Sequence, residues 1–156
     1  MGLTSARVAK HPIHPMLVVL PLGLWVAALA FDAIYAFTGR PGFRTAAFWN
    51  VGAGVIGALL AAIPGFVDWL SLTGRAARLG TYHMILNLAA VAIFAINWFV
   101  RTRVDADSVW PLLLSIVGVV GVAIAGWLGG ELVYVDRVGV EEEEDRRAAA
   151  RHRRVA

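Results

Sequence analysis

Apolar residues along this chain gather into four long runs: Pro15–Phe37, Thr45–Leu70, Thr81–Val100 and Val109–Val135. Each is about 20 residues or longer, enough to cross a ~30 Å hydrocarbon core as a helix. Helical backbone follows, because lipid offers no partner to an unpaired N–H or C=O. The separating segments, 38–44, 71–80 and 101–108, are short, as in an up-down-up-down bundle. Trp49, Trp69, Trp98 and Trp110 stand near the ends of runs, where an interfacial aromatic belt would place them. The expected fold class is therefore all-α: an integral membrane four-helix bundle over residues 1–140, with a charged tail over 141–156.

The few polar and small residues inside the runs keep to single helix faces. In the third run, His83, Asn87, Ala90, Phe94 and Asn97 follow one another at three or four residues. That stripe should point into the bundle. In the second run, Asn50, Gly54, Gly57, Ala61, Gly65 and Asp68 do the same, and small residues there let helix backbones approach. In the fourth, Gly118, Ala125 and Gly129 form a small-residue stripe, with Glu131 on another side.

Composition strengthens the membrane reading. Of 156 residues, 59% are hydrophobic and only 16% charged, and the mean hydropathy is +0.69. Soluble domains are nearer half apolar and a quarter charged. With no cysteine, disulfides, thiolate metal sites and iron–sulfur ligation are excluded. The net charge of +3 comes without a basic patch interleaved with aromatics, so nucleic acid is not an expected partner. Arginine counting sets the orientation. One side carries Arg7, Lys10, Arg75, Arg78, Arg137 and the tail arginines, against Arg40, Arg44, Arg101 and Arg103 on the other. The positive-inside rule then places both termini in the cytoplasm.

Ionisable residues inside spans are costly and point to function. His11, His14, Asp68, His83 and Glu131 share one depth, at the cytoplasmic end, while Asp32 lies at the other. The pair of histidines opens the first span as "HPIHP" (11–15). A proline in the first turn loses no hydrogen bond, and a residue before proline is held extended. His14 is thus expected at the cap position, with both rings fixed over the mouth of the bundle. A faint internal repeat accompanies them. The first run opens and the second closes with "H…PGFVDWL"; the third opens and the fourth closes with "H…GWLGGEL". Each hairpin is histidine-in, acid-out, which would relate the two by an axis along the membrane normal, with the site upon it.

These residues carry a resemblance. "HPIHPMLVVLPLGLW" (11–25), "GFVDWL" (65–70), "YHMILNL" (82–88) and "GGELVYVDRVGV" (129–140) resemble the bacterial membrane family called domain of unknown function 2231. The resemblance implies four spans and a membrane redox setting, since relatives occur joined to or beside redox domains such as Rieske proteins and c-type cytochromes. It implies no activity, and this chain has neither a cytochrome-attachment motif nor Rieske ligands.

Four functional expectations follow. The first is a transition-metal site, zinc, iron or manganese, held by His14, His83, Asp68 and Glu131 with His11 in support. The second is a b-type haem with His14 and His83 as axial ligands and Arg75, Arg78 and Lys10 near the propionates. The third is a proton relay among the same groups. The fourth is structural: His14 paired with Asp68 and His83 with Glu131, locking helix register. No nucleophile arrangement points to an enzyme. Besides lipid, the candidate partners are a redox protein of the membrane or periplasm and a second copy of the chain.

Overall fold

A computed structural model describes residues 7–8 and 11–140. Four helices make up almost all of it: α1 Ile13–Thr38, α2 Pro41–Leu70, α3 Gly74–Val100 and α4 Trp110–Tyr134. All four are long and apolar enough to cross a membrane. Ahead of α1, β1 (Arg7–Val8) pairs antiparallel with β2 (His11–Pro12), so the His11–Pro12 backbone is extended as its sequence requires. The tail beyond 140 lies outside the described residues.

Three of the helices begin earlier than their apolar runs, and α4 starts one residue later than its run, at Trp110. α2 starts at Pro41 rather than Thr45, because proline favours the first helical position. α3 starts at Gly74 rather than Thr81, because Arg75, Ala76, Ala77, Arg78 and Leu79 are strong helix formers that an apolar count overlooks. α1 starts at Ile13, so His14 lies within the first turn and not at the cap. Pro15 follows it at a position whose N–H would have had no acceptor. At the other end of α1, Gly39 takes φ +63 and donates its N–H to Tyr35 O at 2.8 Å, the left-handed stop that glycine permits.

Large apolar side chains such as Val19, Leu20, Ile63, Phe99 and Trp127 point outward, and the interior is made of small and aromatic residues. This inversion suits a bundle whose surroundings are lipid. α1 packs along α2 and α3 along α4, giving two hairpins; α2–α3 and α1–α4 close the square. α1 and α3 therefore face each other along the diagonal.

The two hairpins repeat one another. The buried residues of α1 are Pro21, Trp25, Ala28 and Asp32. Each has a buried counterpart 69 residues further on: Ala90, Phe94, Asn97 and Arg101. On α2, Ala47, Val51, Gly54 and Ala61 are buried, and so are Pro111, Ser115, Gly118 and Ala125, 64 residues on. Counterparts also meet each other. The rings of Trp25 and Phe94 stack with centroids 4.2 Å apart, those of His14 and His83 lie 6.3 Å apart, and Asp32 pairs with Arg101. Residues that touch their own symmetry mates mark a two-fold axis, as at an isologous dimer interface. The glycines make it fit. A Cβ on Gly54 would collide with the Trp25 indole, and one on Gly118 with the Phe94 ring. The expected repeat is thus present in its histidine half. Its acidic half does not share in it: Asp68 corresponds to Leu132, and Glu131 to Val67.

Candidate functional site

At the histidine end of the axis, α1 and α3 each supply one imidazole. His14 Nδ1 lies 2.8 Å from Ala61 O on α2, and His83 Nδ1 lies 2.8 Å from Ala125 O on α4. A carbonyl can only accept, so each Nδ1 carries the proton and donates. Gly65 and Gly129, one turn beyond those alanines, leave the space the rings fill; a Cβ on Gly65 would lie 2.7 Å from His14 Nδ1, and one on Gly129 3.0 Å from His83 Cε1. The rings themselves are perpendicular. Asn87, one turn along α3, donates to His83 O at 2.8 Å and lies 3.1 Å from His83 Nε2.

The carboxylates go elsewhere. Glu131 Oε2 accepts from Arg75 Nη2 at 3.2 Å, and Arg75 Nη1 donates to Asp136 Oδ1 at 2.5 Å. Glu131 therefore turns to the start of α3, the same helix that packs on the glycine stripe of α4. The expected pairing of His83 with Glu131 is not made, because each imidazole is taken by a backbone carbonyl. Asp68 is half-buried at the end of α2 and has an interaction partner. The His11 side chain lies outside the described residues. Among the described residues, no group of three or more His, Asp or Glu side chains is placed to hold a metal ion. Of the expected site residues, the fold brings together His14 and His83. Arg78 is exposed on the first turns of α3, at the same end.

The opposite end of the axis holds a second polar cluster. Arg101 Nη1 and Nη2 donate to Asp32 Oδ1 and Oδ2 at 2.8 and 2.5 Å, a bidentate pair in which both side chains are at most 5% exposed. Ser115 donates to Asp32 Oδ2 at 2.6 Å. Arg101 Nε donates to Asn97 Oδ1 at 3.0 Å, and Asn97 Nδ2 donates to Ser115 Oγ at 2.9 Å and Pro111 O at 3.2 Å. Sequence reasoning counted Arg101 as a loop charge and left Ser115 without a role. The signal that could have found them is the 69-residue spacing, which sets Arg101 opposite Asp32.

Four helices long and apolar enough to cross a bilayer, with large apolar side chains outward and glycines where the Trp25 and Phe94 rings approach, define an integral membrane protein with four spans. The chain belongs to the family of domain of unknown function 2231 (DUF2231), described as "predicted membrane protein", whose model matches residues 10–142. No curated protein and no solved structure matches it.

Proposed function

We propose that His14 and His83 of this four-span protein would hold one b-type haem at the histidine end, with both termini in the cytoplasm of a bacterial inner membrane. The observation that carries this reading is the 6.3 Å between ring centroids. That separation puts both rings within reach of one metal centre, at about 2 Å per metal–imidazole bond. The donor set fits as well. Each Nδ1–H is tied to a helix carbonyl, which fixes the ring and leaves Nε2 as the ligating atom. His83 would exchange its bond to Asn87 for the metal. Two protein donors suffice for haem, whose macrocycle brings the rest, whereas a bare zinc or manganese ion would need more. Arg78, exposed at this end, is a cation within the first turns of α3 that could serve a propionate, whereas Arg75 is engaged by Asp136 and Glu131. When bound, haem would supply one-electron chemistry; the chain's part is to hold and orient it between α1 and α3.

A second reading has its own support. Each imidazole bonds the other helix of its own hairpin, α1 to α2 and α3 to α4, which is what a register lock would do. Protein purified in detergent from cells given a haem precursor separates the two by absorption spectrum, elemental analysis and melting temperature. The haem reading expects a Soret band that His14→Ala and His83→Ala remove. Stoichiometric zinc or manganese without that band would replace haem with a bare ion. Neither cofactor, with melting lowered in both variants, would leave the lock. A C-terminal reporter active only outside the cytoplasm should stay silent; activity would reverse the orientation.

A further inference from the structure

We infer that Asn87 makes the two imidazoles unequal donors, so that the pair takes its Lewis acid through His14 and offers His83 as a displaceable second ligand. The inference rests on the paired-imidazole reading above and deepens it. The Asn87 amide is oriented by chemistry: its Nδ2 lies 2.8 Å from His83 O, so that atom must be the donor nitrogen. The same nitrogen lies 3.1 Å from His83 Nε2, which must then accept. With Nδ1 donating to Ala125 O, both nitrogens of His83 are satisfied and its lone pair is covered. Under the two-fold, the position corresponding to Asn87 is Val18, which has nothing to donate. Among the described residues, His14 Nε2 takes no hydrogen bond, while its Nδ1 is held by Ala61 O. Two rings matched in placement, partner carbonyl and supporting glycine thus differ in one respect, the availability of Nε2. A metal centre approaching the pair finds an open nitrogen on His14, and must displace an amide to reach His83. A neutral hydrogen bond has a net effect corresponding to roughly a 2- to 12-fold change in an equilibrium constant, so the bias is real but reversible.

The test is titration of the full chain in detergent with ferric haem, read by absorption and electron paramagnetic resonance. The expected result is that His83→Ala still binds haem, as a five-coordinate high-spin complex, while His14→Ala weakens binding at least tenfold more. Asn87→Val should raise the low-spin fraction and make cyanide a poorer competitor by roughly 2- to 12-fold; Val18→Asn should weaken binding. Equal losses in His14→Ala and His83→Ala, with the spin state unchanged in Asn87→Val, would overturn the inference. If the wild type binds no haem, the haem reading fails by itself, and nitrogen NMR of the imidazoles decides the inequality. A single Nδ1–H tautomer for His83 that Asn87→Val releases would sustain it. Two rings that behave alike in both proteins would end it.

Discussion

At the histidine end of the axis the meeting pair is the same residue on both sides, and each ring turns back to bond a carbonyl of the helix behind it. At the other end the pair is complementary, and Asp32 and Arg101 bond each other. Each imidazole gives its Nδ1–H to a carbonyl and not to the other ring, so the histidine end retains its Nε2 acceptors, with Asn87 covering only one of them. Opposite charges satisfy each other, and Ser115 and Asn97 take up what remains. One two-fold thus produces a candidate site at one end and a closed ion-pair cluster at the other. His14 and Asp32 are 18 residues apart on one helix, about 27 Å of rise, close to a hydrocarbon thickness. Each cluster therefore stands near one face of the bilayer, with the Trp25–Phe94 stack between them.

The comparison breaks most readily at the ion pair. Arg101→Ala leaves Asp32 as an unpaired carboxylate in an apolar interior, a loss of about 3–5 kcal/mol. A large fall in melting temperature in detergent is expected. Because positions 32 and 101 exchange places under the two-fold, combining Asp32→Arg with Arg101→Asp should recover part of that loss. Recovery will be incomplete, since Asn97 and Ser115 occur in one hairpin only. A double variant no better than either single one would mean that the two-fold does not extend to energetics.

The aromatic layer between the ends gives a smaller effect. Gly54→Ala drives a methyl group into the Trp25 indole, and overpacking of that kind costs about 1–3 kcal/mol. At Gly57 a Cβ would meet Pro21 and Leu20 at 3.5 Å or more, ordinary contact, so Gly57→Ala should be nearly neutral. Equal melting of the two variants would show that the glycines act by helix propensity and not by close approach. Smaller again is the histidine end. His14→Ala removes one bond to a carbonyl, a net effect of about 1 kcal/mol in the cofactor-free chain. A loss as large as that of Arg101→Ala would make both ends locks. Glu131→Gln should change melting least, since Arg75 is exposed and keeps Asp136. A marked shift there would draw the carboxylate into the site after all.

Much of this was legible in order of residues. The four spans follow from apolar runs long enough for a bilayer, and the inward faces from stripes at helical spacing. Ala90, Phe94 and Asn97 on α3, and Gly54, Gly57 and Ala61 on α2, are buried as their spacing requires. Shared depth put His14 and His83 at one level, and their rings lie 6.3 Å apart. It failed for Glu131, because depth says nothing about direction around a helix or about competing partners such as Arg75. Asn87 was visible as one member of a polar stripe, yet its bond to His83 depends on rotamers that spacing does not specify.

Hydropathy and the insolubility of unpaired backbone in lipid are local demands, and any chain with these four runs must meet them as helices. The sequence by itself therefore determined the class of fold, the number of spans and the faces that turn inward. Which residues meet on the axis is a matter of pairing between segments 69 positions apart, and it was decided only when the helices packed. Trp25 can stack on Phe94 because Gly54 and Gly118 admit their rings. The same approach sets His14 opposite His83 and Asp32 opposite Arg101. Tertiary structure made one end a pair of imidazoles and the other an ion pair, because contact across a two-fold depends on which side chains share a level, and no single helix carries that information.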